Sequence, residues 1–270
     1  MIVAMIRPFF KKNIKFIARE SSIVSINNRY DNNRVINDFL YKVFYNNFDV
    51  IIAQSDYMKD DLTKNYNIKE HKIKVINNPV DSEKIEKLSK SDKKLFDKDR
   101  INLLSVGSLN RVKGHDLLLK ALALLDERYF LTLLGEGKEK ENLLKSVRKL
   151  NIENRVDFAG FKSNPHVYMK EADLFVLSSR YEGFPNVLLE AGACGTFSVA
   201  FNCPGGTNEI IEEGINGFYA RCEDIRDLAE KIKKAVDFKK DKNKIKELIK
   251  ERYGLNGIIK KYEEVFLYEN

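Results

Sequence analysis

Cysteine is scarce in this chain of 270 residues, and long hydrophobic runs are missing from it. The three cysteines, at positions 194, 203 and 222, are too few and odd in number for a disulfide framework, and their spacing matches no zinc site. The apolar start, residues 1–6, is far too short to span a bilayer, and its positive charges follow it, whereas those of a secretory signal precede the apolar run. The sequence therefore indicates neither a disulfide-rich secreted scaffold nor a transmembrane protein, and we expect a cytoplasmic globular protein.

Positive charge is in excess, with 47 Lys and Arg against 40 Asp and Glu, for a formal net charge of +7. Such a surplus favours an anionic partner. Because no nucleic-acid module is recognisable, the expected partner is a nucleotide, a phosphate-bearing lipid or an anionic membrane face, and not nucleic acid. The basic segment at residues 7–12, Arg-Pro-Phe-Phe-Lys-Lys, predicts peripheral contact with an anionic membrane. Ordinary cations at a helix end and a lysine-rich proteome are the alternatives.

From Ile101 onward, short apolar strands alternate with amphipathic helices. Continuously apolar strands in such an alternation predict a parallel sheet covered by helices on both faces, which is a complete Rossmann-like domain. Strands are predicted at 102–106, 130–134, 156–158, 174–178, 198–201 and 217–219. Helices are predicted at 115–125, 138–150, 167–171, 185–194, 208–213, 224–236, 243–252 and 255–268.

A smaller set of elements precedes that domain. Strands are predicted at 15–18, 50–53 and 72–76, and helices at 35–45 and 57–65. Asn, Pro and Asp in residues 77–81 favour a turn, and the next segment is dense in Lys, Asp and Ser, which predicts a solvated connector. The chain is therefore expected to divide into a partial N-terminal domain (1–81), the connector (82–100), a C-terminal domain (101–254) and a closing helix (255–270) that packs back on the N-terminal domain.

The segment from Ser178 to Ala191 carries the strongest chemical signal. It joins an apolar strand to a helix that starts near Pro185, and Glu182 and Glu190 bracket that start with seven residues between them. A helix N-terminus offers unpaired N–H groups and a partial positive charge, so it suits an anion such as a diphosphate. A carboxylate one turn further in, roughly 5–8 Å along the axis, lies where the ribose of a nucleotide diphosphate would be. The spacing predicts half of a nucleotide-sugar site, although these residues are also ordinary at an α/β helix start.

The segment 178–191 is similar to the E-x(7)-E signature of the family 4 glycosyltransferases, which have the two-domain GT-B fold. The likeness continues through 191–195, 203–211 and 214–217. It implies an α/β, GT-B-like fold and a retaining hexosyltransferase. Such an enzyme moves a hexose or an N-acetylhexosamine from a nucleotide-diphosphate sugar, here a UDP-sugar, to a cell-surface polysaccharide or a lipid-linked glycan acceptor. The family mechanism is front-face attack, in which the leaving diphosphate takes the acceptor's proton.

By this resemblance, Glu182 contacts the donor sugar and is catalytic, while Glu190 contacts the ribose. Both are expected to accept hydrogen bonds from hydroxyl groups. A glycosidase-like use of the pair is disfavoured, because that chemistry needs both carboxyl groups to flank one bond. The turn and helix start between these two carboxylates are assigned to the diphosphate, and they comprise Gly183, Phe184, Pro185, Asn186 and Val187. The backbone N–H groups of the last two residues are expected to donate to the phosphate.

The loop 107–114, Gly-Ser-Leu-Asn-Arg-Val-Lys-Gly, resembles the family pattern G-R-L-x-x-x-K-G, in which Arg and Lys bind the leaving diphosphate. Gly107 and Lys113 match, whereas Ser108 stands where the family has Arg. Arg111, in the same loop, is the candidate for the missing charge. Cations at this point stabilise the negative charge that builds on the leaving group, so Lys113 is predicted to be catalytic. The alternative is that both cations are solvated.

Two further positions come from the resemblance. Gly137, in the Gly-Glu-Gly turn after the second strand of the C-terminal domain, is expected to line the donor cleft, although such a turn is often merely tight. Main-chain groups around Phe161, after the third strand, are expected to contact the nucleobase.

The N-terminal domain lacks a histidine at the strand end where many family members have one beside the reacting carbon. His71, His115 and His166 lie elsewhere, and none is assigned a catalytic role. Some subgroups have an acidic–basic pair at that strand end, so Arg19 and Glu20 are candidates, and Glu20 is counted with the catalytic residues. A salt-bridged loop pair is the alternative.

Metal binding is not expected. Asp97 and Asp99 have the D-x-D spacing of metal-dependent glycosyltransferases of the other fold, but they lie in the charged connector, which favours a solvated linker. Because Lys113 and a helix terminus neutralise the diphosphate, no metal or other cofactor is required.

The predicted N-terminal domain has too few strands for a doubly wound sheet. The resemblance implies roughly a further hundred residues before the equivalent of Met1, so a truncated acceptor domain is expected. The alternative to a transferase is therefore a remnant that binds a nucleotide sugar or a partner chain without catalysis. A nucleotide-sugar epimerase is less favoured, because its acid–base residues are not identifiable.

Overall fold

A computed structural model gives the fold and describes residues 2–10, 14–91 and 94–267. Two parallel sheets, each packed against its own helices, make up the described chain. Lys11 and Lys12 of the predicted basic segment, and Tyr268 at the end of the last predicted helix, lie outside the described residues.

The N-terminal part is built around the smaller sheet. Its elements are α1 (Ile2–Ile6), β1 (Ile17–Arg19), α2 (Val24–Arg29), α3 (Arg34–Phe44), β2 (Val50–Ala53), α4 (Asp56–Tyr66), β3 (Ile73–Val75) and α5 (Ser82–Leu88).

The C-terminal part is built around the larger sheet. Its elements are β4 (Ile101–Val106), α6 (His115–Ala123), β5 (Tyr129–Leu134), α7 (Lys140–Lys149), β6 (Val156–Gly160), α8 (His166–Glu171), β7 (Leu174–Leu177), α9 (Asn186–Ala193), β8 (Ser198–Asn202), α10 (Thr207–Ile210), β9 (Gly217–Arg221), α11 (Ile225–Asp237), α12 (Lys242–Tyr253) and α13 (Leu255–Leu267).

All nine predicted strands are present, and their ends differ from the predicted ends by at most two residues. The predicted α/β fold is thereby confirmed. The helix predicted at 208–213 is wrong in its second half: α10 ends at Ile210, and Glu213 forms a bridge with Gly217 instead.

Residues 82–88 correct the prediction of a wholly solvated connector, because they form α5. The Asp81 carboxylate accepts a hydrogen bond from Lys84 N at 2.9 Å and caps this helix. Ile85 is buried on its inner side. Helices α1 and α2 also have no counterpart in the sequence prediction.

The larger sheet has the strand order β6-β5-β4-β7-β8-β9, and every neighbouring pair is parallel. The direction of winding reverses between β4 and β7. In open parallel sheets, ligands bind outside the carboxyl ends of the strands at such a reversal. The fold therefore directs attention to the loops that follow β4 and β7.

Alternate residues of the central strands enter two apolar clusters, one on each face of the larger sheet. Leu103 and Val176 belong to one cluster, Leu104 and Phe175 belong to the other, and all four side chains are inaccessible to solvent. Burial on both faces explains why these strands are continuously apolar in sequence.

The chain passes between the two parts twice, and the two passages are hydrogen-bonded to each other. Val80 N donates to Tyr253 O at 2.8 Å, and Leu255 N donates to Val80 O at 3.2 Å. After the second passage, α13 places Ile258 and Val265 in an apolar cluster with residues of β2. The last helix thus packs on the N-terminal sheet.

The N-terminal helices leave large apolar side chains exposed. Val35, Ile36 and Phe39 project from α3, and Ile2 projects from α1, with exposures between 59% and 81%. Within the described ranges, no helix combines the length and the apolar character needed to cross a membrane.

Candidate functional site

The loops that follow β4 and β7 pack directly against each other at the point where the sheet reverses. Arg180 N donates to Val112 O at 2.8 Å, and Ser178 Oγ donates to Lys113 O at 3.0 Å. Gly114 makes this approach possible: its φ is +63°, and a Cβ at this position would lie 2.0 Å from Ser178 O.

Lys113 and Glu182 meet between these two loops. The Lys113 ammonium donates to Glu182 Oε1 at 2.7 Å, and Ser179 Oγ donates to the same oxygen at 2.6 Å. The lysine methylenes pass over Gly107, 3.5 Å from the place of a Cβ. Because the two side chains are only 23% and 11% exposed, their attraction is screened less than that of a surface ion pair.

Arg180 fixes the relative position of the two loops. Its guanidinium donates to both carboxylate oxygens of Asp116, in the first turn of α6, at 2.9 and 2.8 Å, and to Glu223 at 3.2 Å. Burial alone would raise the pKa of the Asp116 carboxyl, but Arg180 outweighs it and holds that pKa below its ordinary value. No local sequence pattern indicates a role for Arg180, because its partners Asp116 and Glu223 are distant in the chain.

Helix α9 begins beside the Lys113–Glu182 pair. Pro185 is its N-cap residue, and no side chain among the described residues caps the first turn. Since proline has no N–H, the first backbone donors are those of Asn186, which is exposed, and Val187, which is half-buried. A helix N-terminus and an ammonium group are therefore both present at the switch point.

The segment that follows β8 is hydrogen-bonded to the Glu182 loop. Glu182 N donates to Pro204 O, and Gly206 N donates to Gly183 O, both at 3.0 Å. Gly205 has a φ of +119°, and a Cβ there would lie 1.5 Å from Glu182 O. Only glycine fits this conformation and this contact.

Glu190 lies one turn into α9 and faces a cleft of about 530 Å³. The cleft is also lined by Gly107 and Phe161, and the Phe161 ring is 75% exposed at its rim. Burial raises the pKa of the Glu190 carboxyl above its ordinary value. The structure thus brings three of the predicted binding residues to one cleft.

His166, to which no catalytic role was assigned from the sequence, also lines this cleft. It is the first residue of α8, and its Nε2 lies 4.0 Å from Glu190 Oε2. His166 and Glu190 also both line a second cavity of about 210 Å³ beside α5. The sequence signal that could have identified His166 is its position shortly after the end of β6, the strand that precedes Phe161.

Two predicted binding residues, Phe184 and Gly137, do not line the cleft. The Phe184 ring is buried and packs edge-to-face on Tyr253, with 5.7 Å between ring centroids. Gly137 packs against the backbone of Leu109, where a Cβ would lie 2.3 Å from the carbonyl oxygen. Both positions shape the loops, and Gly137 is absent from the lining of the 530 Å³ cleft.

Arg111 does not lie at the Lys113–Glu182 pair. It is exposed and lines a separate cavity of about 270 Å³, together with Glu139 and Arg180. The prediction that Arg111 replaces the arginine missing at position 108 therefore has no support in the arrangement of the side chains.

Glu20 faces the N-terminal core. Its carboxylate accepts hydrogen bonds from the hydroxyls of Tyr41 and Tyr45. Burial raises the pKa of this carboxyl, although the two tyrosines oppose the shift. Within the described residues, Glu20 is paired neither with Arg19 nor with Lys113. The structure therefore contradicts the salt-bridged pair, and the catalytic role of Glu20 stays a prediction.

Arg19 faces the other way, toward α9. Its Nη2 donates to Asn78 Oδ1 at 2.6 Å, and Asn78 Nδ2 donates to Asn186 Oδ1 at 2.6 Å. Arg19 Nε also donates to the hydroxyl of Tyr262 in α13, at 2.9 Å. The start of α9 is therefore connected to β1 through a single asparagine.

A second connection between the two parts involves Glu209 of α10. Its Oε1 accepts from the backbone nitrogen of Asp56, the first residue of α4, at 2.8 Å, and its Oε2 accepts from Asn77 Nδ2 at 3.3 Å. Burial raises the pKa of this carboxyl. Glu209 thereby caps a helix of the opposite part.

Two family models match the chain. The model described as glycosyl transferases group 1 matches residues 86–252, and the model described as glycosyltransferase family 4 matches residues 19–84. The first match includes both loops of the switch point and the cleft at Glu190.

Curated relatives agree with these matches. The N-acetylgalactosamine-N,N'-diacetylbacillosaminyl-diphospho-undecaprenol 4-alpha-N-acetylgalactosaminyltransferase of Campylobacter jejuni is 30% identical over 236 residues, which cover 87% of this chain and 64% of the relative. The lipopolysaccharide core biosynthesis glycosyltransferase LpsE of Rhizobium meliloti is 34% identical over 134 residues, covering 50% of this chain and 39% of the relative. The chain spans between 50% and 64% of the length of the first three curated relatives.

Solved structures show the same fold. Anabaena HepE in complex with UDP superposes with a TM-score of 0.81 at 23% identity, over 93% of this chain and 72% of that chain.

Proposed function

Because this chain belongs to the glycosyl transferases of group 1 and family 4, we propose that it transfers a hexose or an N-acetylhexosamine from a nucleoside-diphosphate sugar to a glycan or lipid-linked acceptor. One observation carries the proposal: the Lys113–Glu182 pair lies at the start of α9, with the Glu190 cleft one turn further on. This arrangement offers positive charge to a diphosphate and a carboxylate to the adjoining ribose.

UDP is the proposed nucleotide of the donor. HepE, which has the same fold, was solved with UDP. The name of the Campylobacter relative gives a diphospho-undecaprenol acceptor and an N-acetylgalactosaminyl group, which supports a lipid-linked acceptor and an N-acetylhexosamine here.

The proposed chemistry is retaining. The bond between the anomeric carbon and the diphosphate oxygen breaks, and its electron pair leaves with the diphosphate. An acceptor hydroxyl attacks the anomeric carbon from the same face and gives its proton to the departing diphosphate. Lys113 and the N–H groups at the start of α9 stabilise the charge on the leaving group. Because these groups offset the charge of the diphosphate, the proposal requires no metal. Glu182 accepts hydrogen bonds from the donor sugar.

Nucleotide binding is the direct test. We expect UDP at a hundredfold excess over its Kd to raise the free energy of unfolding by about 2.7 kcal/mol, measured by thermal unfolding against a panel of nucleoside diphosphates. UMP, which lacks the β-phosphate, is the matched control and is expected to stabilise less. If no nucleoside diphosphate stabilises the protein, the proposal is wrong.

Product analysis then separates the candidate activities. Incubation with a labelled UDP-sugar and a lipid-linked glycan is expected to yield labelled glycan. Nucleotide binding without any product would favour the alternative of a non-catalytic nucleotide-sugar-binding protein, and a free or epimerised sugar would indicate hydrolysis or epimerisation.

We also propose peripheral contact with an anionic membrane, but through α3 and not through the basic segment at residues 7–12. The Arg7 guanidinium is already bound to both carboxylate oxygens of Asp49 at 3.0 Å, so its charge is largely neutralised. The exposed apolar side chains of α3, which carries Arg34 and Lys42 as well, are better suited to a bilayer interface.

Vesicle flotation tests this contact. The protein is expected to float with vesicles that contain anionic lipid and less with zwitterionic ones, and the double variant Ile36→Ser and Phe39→Ser is expected to float less. Leu124→Ser, the same kind of apolar-to-polar change at an exposed leucine of the C-terminal part, is the control. The proposal is contradicted if the unchanged protein, the double variant and the control all remain unbound to the same extent with anionic vesicles.

A further inference from the structure

The tautomer of His166 is fixed by its neighbours. Asn164 Nδ2 donates to Leu88 O at 2.8 Å, which leaves the Asn164 side-chain oxygen as the acceptor for His166 Nδ1, 3.0 Å away. His166 Nδ1 therefore carries the proton in the neutral ring, and Nε2 carries a lone pair.

That lone pair faces a second acceptor. His166 Nε2 and Glu190 Oε2 are 4.0 Å apart, which is too long for a hydrogen bond. A neutral imidazole nitrogen and a carboxylate also have no proton to share. Among the described residues, neither atom has a hydrogen-bond donor within reach, although His166 is only 14% exposed and Glu190 31%. The pair is suited to a ligand with two adjacent donors.

Two adjacent hydroxyl groups on a sugar ring match this requirement. The ribose of a nucleoside diphosphate carries such a pair, and the cleft at Glu190 has room for a nucleoside between Gly107 and Phe161. We propose that His166 is a specificity-determining residue for the nucleotide. Its Nε2 accepts a hydrogen bond from one ribose hydroxyl while Glu190 accepts from the other. This inference rests on the proposed function, and it adds a residue to that site.

Protonation of His166 opposes this contact. Burial, followed by the charge of Lys84, lowers the pKa of His166, so the ring is neutral near pH 7. Below its pKa, Nε2 carries a proton and donates to Glu190 instead of accepting from ribose. Besides Glu190, the ionisable groups that share a cavity with His166 are Asp81 and Lys84 in the 210 Å³ cavity and Glu136 and Lys162 in the 530 Å³ cleft. Affinity for the nucleotide is expected to fall as the pH is lowered.

Calorimetry with UDP, 2′-deoxy-UDP and 3′-deoxy-UDP tests the inference, with the GDP series run in parallel. The unchanged protein is expected to bind each deoxy analogue about five- to tenfold more weakly than the ribonucleotide, the loss of roughly one hydrogen bond. His166→Ala is expected to lower affinity for the ribonucleotide by a similar factor and to abolish discrimination against one of the two analogues only. His166→Gln, whose amide oxygen accepts, is expected to restore part of that discrimination and to remove the histidine component of the pH dependence.

The outcomes separate the two levels of the proposal. If the unchanged protein binds no nucleoside diphosphate, the proposed function itself fails. If it binds UDP or GDP but not more tightly than the deoxy analogues, the function stands and the role of His166 is wrong. The role is equally wrong if His166→Ala weakens all three ligands by the same factor, which is the result of a structural role, or if it changes none of them.

Discussion

Replacing Lys113 by alanine is expected to lower kcat for sugar transfer by about 10²- to 10³-fold, the usual loss when one preorganised group is removed from a developing negative charge. The ammonium group lies between the loops after β4 and β7, and its charge is shielded from water. Since charge on the diphosphate is greatest in the transition state, kcat is expected to fall more than KM rises. Steady-state transfer from the UDP-sugar that stabilises the protein measures both constants.

Two variants make this result interpretable. Lys113→Arg keeps the charge but not the point geometry of the ammonium group, so intermediate activity is expected. Lys149→Ala removes an exposed lysine at the end of α7 and is expected to leave kcat unchanged. A Lys113→Ala protein with unchanged kcat would show that the helix N-terminus alone supports the leaving group.

Local sequence patterns are sufficient to predict the strands of the fold and the placement of Glu190 in the candidate site. The strands were found because burial on both sheet faces makes them continuously apolar, as in Leu103 and Leu104 of β4. The position of Glu190 relative to Asn186 at the start of α9 follows from helix geometry over five residues, which needs no knowledge of the remaining fold. Lys113 was found only through the resemblance, because its contact with Glu182 spans 69 residues.

Side-chain direction within a loop was the first thing that sequence could not give. Arg111 and Lys113 belong to one short 3₁₀ turn, where residues two apart point to different sides because three residues complete a turn. A sequence pattern records only that both cations are in the loop. In the structure, Arg111 lines the cavity of about 270 Å³, whereas Lys113 contacts Glu182.

The same limit applies to the end of β1. Neighbouring residues of an extended backbone project to opposite sides, so Arg19, the last residue of β1, and Glu20, which follows it, cannot both face α9. Arg19 reaches Asn78 and the start of α9, while Glu20 is bound by tyrosines of the N-terminal core. Predicting which of the two faces the site requires the strand register, and that depends on the packing of distant helices.

The contacts between the N-terminal and C-terminal parts could not be predicted from the sequence either. Asn78 joins Arg19 to Asn186, Glu209 caps α4, and a Cβ on Gly183 would lie 2.6 Å from Ser21 O. Each contact lies on or near the Glu182–Asn186 segment and comes from a different region of the N-terminal part. The position of that segment is therefore set by both sheets, and a disturbance of its support is expected to affect the chemistry.

Gly205→Ala is expected to show this dependence most clearly. The new Cβ would lie 1.5 Å from Glu182 O, at a φ of +119° that side chains rarely adopt, so the backbone of the Glu182 loop must move. A displacement of about 1 Å at a catalytic group costs on the order of 10²-fold in rate. We expect transfer to fall by at least that factor, and the free energy of unfolding to fall by about 1–3 kcal/mol from the backbone strain.

Gly257→Ala is the matched control for this variant, because a Cβ at Gly257, inside α13, meets nothing within 4 Å. The same methyl group there is expected to raise the free energy of unfolding by about 0.5–1 kcal/mol, since alanine favours a helix over glycine, and to leave transfer unchanged. Urea unfolding and steady-state transfer are measured on both variants. Because Lys113 and Glu190 remain in place in Gly205→Ala, a folded variant that binds UDP but transfers poorly would place the loss in the Glu182 loop. Normal transfer by that variant would show that the loop adapts to the added carbon and that its support from the segment after β8 is unimportant for the chemistry.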